Sequence, residues 1–348
     1  MPSNRPSSYQ TSGLVRNRVA TQARQDAALR LRQSGMSYID IARELGFMSN
    51  GVPKAQSAAE AVRAAKKRIG GAVVVAQGGV SECPSNRTFG VEAEFFGITP
   101  AVAVQALTDA GIAVHYATYT HDTTADWKIV YDASVTGRGT GIGRGLELVS
   151  PIMQGVAGLQ EVAKAVDALS RAGGKLDKSC GLHVHVGMDG LTGADMMKVI
   201  DFYVANQDNI DDIISASRHN NSYCRKFGTR NYELQQVEAF RGLTDVSEMK
   251  AAANNFNRFF VVNTSAYNRH GTLEFRQHQG TLNGEKLTSW VKFILAVVET
   301  APTLDDFAPA ANFDALVDAL PLNAETNGYL KRRAVHMTTN RVANRRAA

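Results

Sequence analysis

Four short stretches between Thr88 and Gln279 share one pattern, in which apolar residues alternate with carboxylates or imidazoles. They read Phe89-Gly-Val-Glu92-Ala-Glu94-Phe-Phe, Gly145-Leu-Glu147-Leu-Val-Ser-Pro, Cys180-Gly-Leu-His183-Val-His185-Val and Gly271-Thr-Leu-Glu274-Phe-Arg276-Gln-His278. In a strand, residues i and i+2 share a face. The pairs Glu92/Glu94 and His183/His185, and the set Glu274/Arg276/His278, are each therefore expected to project together. The residues between them (Val91, Ala93, Leu182, Val184, Leu273, Phe275) are apolar and suited to pack against helices. A sheet that is apolar on one face and lined with acids and histidines on the other is built to hold metal and polyphosphate.

Each stretch alone has a plain structural reading. Glu-x-Glu is usually a solvated strand face, His-x-His a packed pair, and Glu-x-Arg a cross-strand ion pair. Four together, each inside an apolar strand, point to one site. Hard divalent cations take oxygen ligands, and Mg²⁺ combines one or two carboxylates with phosphates and waters. Glu92, Glu94, Glu147 and Glu274 could thus hold more than one such ion against a triphosphate. Arg276 offers a fixed guanidinium for phosphate oxygens, and His183 or His185 could ligate a metal or bond a phosphate. The run Thr136 to Gly145, with Arg138 and Arg144, reads either as a loop that covers phosphates or as a plain flexible loop.

Composition narrows the setting. The 348 residues are 44% hydrophobic, enough for a sizeable core and about two domains. No apolar run approaches the roughly 20 residues of a membrane span, and the N-terminus lacks the apolar segment of a signal peptide. Three widely spaced cysteines without a Cys-x-x-Cys fit a reducing cytoplasm and no disulfides. Residues 1–70 carry a net charge of +8 and residues 331–348 one of +6, leaving −9 for the middle of a chain whose total is +5. Polyanion affinity therefore belongs to the ends.

These shifts divide the chain into a disordered basic arm (1–18), a three-helix module (19–70), a Gly/Ser/Pro linker (71–87), a catalytic domain (88–322) and a basic tail (323–348). In the module a helix is expected over 19–33. Ser37-Tyr-Ile-Asp40 then opens a short helix closed by Gly46, and a basic helix starts with Pro53 in its first turn. That is the outline of a helix-turn-helix. It is read either as a DNA-binding element or as a hairpin that packs on a partner. In the central part, apolar residues at helical spacing predict helices over 158–171, 195–217 and 283–300. The stretches 259–264 and 272–278 are expected to form a hairpin across Asn268 to Gly271. No Rossmann or P-loop signature is present. The fold class is α+β.

The ordered motifs Phe-Gly-Val-Glu92-Ala-Glu94, Trp127 to Ser134, Gly-Leu-Glu147-Leu-Val-Ser-Pro151, Ser-Cys-Gly-Leu-His183-Val-His185-Val and Thr-Leu-Glu274-Phe-Arg276 resemble the amidoligase family over roughly residues 88–300. That family is similar to glutamine synthetases and glutamate–cysteine ligases. The segment LRLRQSGMSYIDIARELGF resembles helix-turn-helix stretches of phage and actinobacterial proteins. The resemblance implies a glutamine synthetase-like, largely antiparallel curved sheet with helices on its outer face. It also implies ATP with Mg²⁺ or Mn²⁺, and an acyl phosphate captured by an amine to give an amide or isopeptide bond. Glu92, Glu94, Glu147, Glu274 and His183 are then metal ligands. Arg276, His183 and Glu94 are the catalytic candidates, and His185, Arg276 and Arg258 face phosphates.

Asp132, Arg218, Asn221 and Tyr223 are expected to line a substrate pocket. Ala133 stands where the family shows Gly. The expected partners are a carboxylate and an amine substrate (amino acid, peptide or modified nucleotide), DNA at the basic module, no membrane, and a second copy of the chain. The setting is the cytoplasm, the host's if the protein is phage-encoded. The rivals are a metal-dependent hydrolase or phosphotransferase, and a DNA-binding or scaffolding protein with a degenerate ligase domain.

Overall fold

The computed structural model describes residues 36–69, 82–118, 123–137, 145–219, 221–227, 240–254, 257–304 and 309–347, with some residues of 21–32. The glycine-rich stretch 138–144, with Arg138 and Arg144, lies outside them, as do the first 20 residues and most of the linker. Contacts divide the chain into two units, one of residues 1–76 with 189–192 and one of residues 77–188 with 193–348.

In the first unit, α1 (Tyr38–Glu44) starts at Ser37, whose side chain accepts from the Asp40 N–H at 3.2 Å. A two-stranded antiparallel hairpin follows, β1 (Met48–Ser49) and β2 (Val52–Pro53), and then α2 (Ala55–Ile69). Pro53 therefore sits in a strand opposite Met48 and not in the first turn of the helix. The physical reason is Asn50-Gly51, whose φ values of 50° and 77° make the turn with two left-handed residues that two-residue hairpins require. Tyr38, Ile41, Ala42, Ala58 and Val62 are buried, and the Arg24 guanidinium lies 4.1 Å from the centre of the Phe47 ring.

The second unit is mixed α/β with an open sheet. In chain order it comprises β3 (Thr88–Phe95), α3 (Pro100–Asp109), β4 (Val114–Tyr116), β5 (Trp127–Tyr131), β6 (Leu146–Val149), β7 (Met153–Gln154), α4 (Gly155–Arg171) and β8 (Leu182–Gly187). Then follow α5 (Gly193–Ile210), α6 (Ala216–His219), α7 (Val246–Ala253), β9 (Val262–Asn263), α8 (Ala266–His270), β10 (Thr272–Phe275), α9 (Gly284–Thr300), α10 (Phe313–Asp318) and α11 (Ala324–Ala347). The strand order is β4-β5-β6-β3-β8-β10-β9, with β7 beside one end of β3. Every pair is antiparallel except β4 with β5.

The alternation of the sequence settles which face is which. Phe89, Val91, Ala93, Leu146, Leu148, Leu182, Val184, Val186, Leu273 and Phe275 are buried. Helices α4 and α9, packed on each other, lie on that face. Trp127 Nε1 donates to Glu161 of α4 at 2.7 Å, and a Cβ on Gly158 of α4 would meet the Phe89 ring. Leu159, Val162, Val166 and Leu169 of α4 and Leu287, Val291, Ile294 and Val298 of α9 form the buried stripes that their spacing predicts.

Three local expectations change. Strands β9 and β10 pair, but helix α8 connects them, closed by Gly271 in the left-handed region, so this is no tight hairpin. The long helix expected to Ser217 stops at Ile210 and passes through a 3-10 turn, Asp211–Ile213, before α6. Residues from 323, set apart in sequence as a basic tail, enter α11, whose Thr326 and Leu330 are buried and whose Arg333 Nε donates to the Ile213 carbonyl at 2.9 Å. Ser85 and Arg87, at the end of the linker, bond to Glu299 and to the Gly187 carbonyl at 2.8 and 3.0 Å.

Candidate active site

The central strand β3 lies between β6 and β8, and register carries the chemistry across them. Residues directly opposite in paired strands share a face. Glu94 stands opposite Glu147, Glu92 opposite His183, and His185 opposite Glu274. All six side chains thus converge on the face away from α4 and α9. His183 Nδ1 is 3.2 Å from Glu92 and 3.4 Å from Glu274, and its Nε2 is 3.7 Å from Glu94. His185 Nε2 lies 3.5 Å from Glu92 Oε1 with no well-aligned hydrogen bond, although the atom is buried. Both histidines face the site.

The support around them is specific. Asn263 Nδ2 donates to Glu274 Oε2, Thr272 Oγ1 is 3.0 Å from His185 Nδ1, and the Gly181 N–H donates to Glu94 at 2.6 Å. Arg276 Nη1 pairs with Glu274, and its Nε donates to the Tyr223 carbonyl at 3.3 Å. Gly181 leaves little room for a side chain, because a Cβ there would lie 3.1 Å from Arg218 and 3.2 Å from His183 and would press on both. Gly145 is constrained more tightly. A Cβ would collide with Val135 and the Asp132 carbonyl, where the Asp132 N–H donates to the Gly145 carbonyl at 3.0 Å. This contact brings Asp132 to the carboxylates. Ala133 takes no left-handed φ, so the turn at Asp132 forms without glycine.

Among the described residues, three groups of side chains each place ligand atoms within 4.8 Å of one another: Glu92/His185/Glu274, Glu92/Glu147/His183 and Glu94/Asp132/Glu147. Glu92 belongs to two of them and Glu147 to two, so the groups overlap. The third is all oxygen, the donor set that hard cations prefer. Electrostatics agrees with a charge deficit that a cation would fill. Burial, and then the charges of Glu92, Glu94, Asp132 and Glu274, push the Glu147 carboxyl well above its ordinary range. Burial also raises Glu94, against the opposing pull of His183. Burial opposes ionisation of Glu92 too, but the two histidines beside it hold its carboxyl well down. Glu274 is lowered against burial by Arg276.

The remaining expected site residues fall in different places. Arg218 is buried and donates through Nη2 to the Arg276 carbonyl at 2.7 Å, so it braces the strand end that carries Arg276. Asn221 bonds the Ser217 carbonyl and the Tyr223 N–H, which builds the turn after α6. The Tyr223 ring is exposed and sits edge-on to Phe259 at 5.7 Å. Arg258 is exposed with its guanidinium over Phe259. His278 departs from the expected alternation. Strand β10 ends at Phe275, and His278 turns to the helix side, 5.1 Å from the centre of Trp290.

One residue was missed. Lys128 stands opposite Val149, which stands opposite Glu92, so it occupies the same row and face. Only 2% of it is exposed. Its signal was present in Trp127-Lys-Ile-Val-Tyr131, where it is the one charged residue in an apolar strand. Lys128→Met keeps the apolar stem and removes the charge. Turnover is expected to fall by roughly 10- to 100-fold with the fold intact by circular dichroism. Unchanged kcat and KM would make Lys128 a packing residue only.

Residues 85–298 match a family described as "Putative amidoligase enzyme". The chain belongs to the amidoligase family. The matched span runs from β3 through α9 and contains every carboxylate and imidazole of the cluster, so in this amidoligase the family region and the polar sheet face coincide. No curated protein matches the chain. Among the described residues no helix is long and apolar enough to cross a membrane.

Proposed function

We propose that this amidoligase joins a carboxylate to an amine at the expense of ATP, with Mg²⁺ or Mn²⁺ held by the sheet. The observation that carries the reading is the set of three overlapping ligand groups with Arg276 beside them on one buried face. Glu92, Glu94, Glu147, Glu274, His183, His185 and Asp132 would hold the cations, which neutralise the triphosphate. A substrate carboxylate oxygen attacks the γ-phosphorus and the β–γ bridging P–O bond breaks, releasing ADP and leaving an acyl phosphate. The amine nitrogen then attacks the acyl carbon, and the C–O bond to phosphate breaks.

In this reading Arg276, fixed by Glu274 and the Tyr223 carbonyl, stabilises the phosphoryl oxygens in flight. The proton lost by the amine passes to Glu94 or to His183, whose Nε2 lies 3.7 Å from it. The glutamine synthetase-like ancestry of the sheet belongs to the same proposal. The test is incubation with ATP, Mg²⁺ and a pool of amino acids, peptides and amines, read by mass spectrometry. ADP together with a new amide supports the ligase. Phosphate release without an amide favours a hydrolase, and no metal-dependent ATP binding by calorimetry removes the ligase.

For the first unit we propose DNA binding through a helix-turn-helix-like arrangement, supported by the +8 charge of residues 1–70. Deleting residues 1–76 is expected to weaken retention on DNA and to flatten its dependence on salt, since each lost phosphate contact removes about 0.9 from the slope of log K against log salt. Retention with an unchanged slope would place the polyanion site elsewhere.

A further inference from the structure

The chain changes register just after the strand that carries Glu274. Phe275 stands opposite Val184, and the two chains next meet where Gln279 stands opposite Gly181. Three residues, Arg276 to His278, therefore face two, Leu182 and His183. An extra residue on one side of an antiparallel pair is a bulge, which re-aims side chains and leaves part of the ladder unpaired. Pairing resumes beyond it, for the Leu182 N–H donates to the His278 carbonyl at 3.0 Å and the Gly280 N–H to the Cys180 carbonyl at 2.8 Å. The bulge accounts for Arg276 staying with the carboxylates while His278 goes to Trp290.

Backbone groups that leave a ladder need other partners, and here side chains supply them. The Arg276 N–H still donates to the Val261 carbonyl at 2.9 Å. The Arg276 and Gln277 carbonyls both accept from Arg218, at 2.7 Å from Nη2 and 3.4 Å from Nε. Gln277 is fully buried, and both ends of its amide are used. Tyr203 Oη donates to its Oε1 at 2.7 Å, and its Nε2 donates to Asp211 Oδ1 at 2.7 Å. A carboxylate only accepts, so the amide has one orientation. Asp211 opens the 3-10 turn after α5, and Lys226 Nζ lies 2.5 Å from its other oxygen.

We propose that Gln277 is a positioning residue for Arg276: clamped by Tyr203 and Asp211, it pins the bulge so that the guanidinium is aimed at the site. That role rests on the phosphoryl contact proposed for Arg276 and adds the residue that aims it. Glu274 and the Tyr223 carbonyl hold the tip of the Arg276 side chain, but its backbone lies where the ladder toward β8 is broken. An apolar side chain could fill the space of Gln277, whereas a buried amide bonded at both ends specifies one arrangement. A misplacement of about 1 Å can cost on the order of 100-fold in rate, and a pin on the next residue prevents it.

The test uses the full chain. Gln277→Glu keeps the shape but sets a carboxylate oxygen against Asp211, across the 2.7 Å now spanned by a hydrogen bond. Turnover is expected to fall on the order of 100-fold with Mn²⁺ affinity unchanged, since no carboxylate or imidazole of the cluster is altered. Adding Asp211→Asn returns a donor to that contact and leaves Lys226 an oxygen, so turnover should recover to within about fivefold of wild type. In an Arg276→Met background Gln277→Glu should cost nothing further, because Gln277 acts through Arg276. If Gln277→Glu does not fold, Tyr203→Phe gives the same comparison at about fivefold. The readout without turnover is the Arg276 Nε–H, which donates to the Tyr223 carbonyl. It is followed by NMR on arginine-labelled protein and identified by its loss in Arg276→Lys. Its hydrogen exchange should be at least about tenfold faster in Gln277→Glu and slow again with Asp211→Asn added. Wild-type turnover in Gln277→Glu, an additive loss with Arg276→Met, no recovery with Asp211→Asn, or equal exchange overturns the proposal. If the wild type makes no ADP, the ligase reading fails alone, and the exchange rates still decide whether Gln277 holds Arg276.

Discussion

Glu92→Gln is expected to lower ADP formation by at least about 10³-fold while leaving the far-ultraviolet circular dichroism unchanged. The size follows from position. Glu92 belongs to two of the three ligand groups and faces both histidines. Loss of several kcal/mol of charge stabilisation at a metal-assisted transfer corresponds to that factor, at 1.36 kcal/mol for each tenfold. The amide is nearly isosteric, so the register with His183 and Val149 should persist. The companion measurement is Mn²⁺ affinity, followed by electron paramagnetic resonance, which should weaken in parallel. A variant that keeps near wild-type turnover would show that Glu92 is a structural partner of the histidines and would sink the cation assignment with it.

The second large effect concerns stability. In metal-free protein Glu147 and Glu94 bind their protons more tightly folded than unfolded, because both are raised. Between the ordinary glutamate value and those raised values, stability therefore falls as pH rises. His185 is raised as well, through Glu92 and Glu274 and against burial. Its contribution is complete below the ordinary histidine value and is lost as pH rises through the folded one. Glu92 and Glu274 run the other way. They are lowered, so their contribution holds above the ordinary value and disappears only as pH falls through the lowered one.

Chelator-treated protein should consequently melt lower at pH 8 than at pH 6, and saturating Mg²⁺ or Mn²⁺ should remove the difference. Glu147→Gln deletes the carboxylate that suffers most from its neighbours. It should stabilise the metal-free protein at pH 8 by on the order of 1–4 kcal/mol, seen as a higher Tm, and abolish turnover. If Tm is flat from pH 6 to 8 without metal, or Glu147→Gln is no more stable than wild type there, the charge-deficit picture of the site fails. Differential scanning calorimetry decides it.

Much of this site was legible because a strand has a period of two. Glu92, Glu94, Glu147, His183, His185 and Glu274 needed only the alternation of their own segments to be assigned a common face, and the sheet keeps it. Lys128 obeys the same rule, but it is the one charged residue of its strand, with no second charge two positions away inside the strand to mark the face. His278 departs from the pattern because the alternation ends at Phe275, where the chain leaves the ladder and the ring goes to Trp290. The order β6-β3-β8-β10 could not be read at all, since pairing between segments about 50 to 100 residues apart depends on how the sheet closes and not on any local pattern. The break of the long helix at Ile210 and the hairpin at Asn50-Gly51 are tertiary and turn effects. The second was available in the dipeptide itself.

Because β3 is flanked by β6 and β8, and β8 by β10, the ligand groups draw on strands whose residues run from position 92 to position 274. Ions seated there would act as rivets through the middle of the sheet, joining on its polar face stretches of chain that backbone pairing and the packing under α4 and α9 hold on the other. Chelation would then loosen the whole domain at once and not one surface loop. A proteolytic cut anywhere between those strands would be felt first as a loss of grip on the ion, before any change in the shape of the protein.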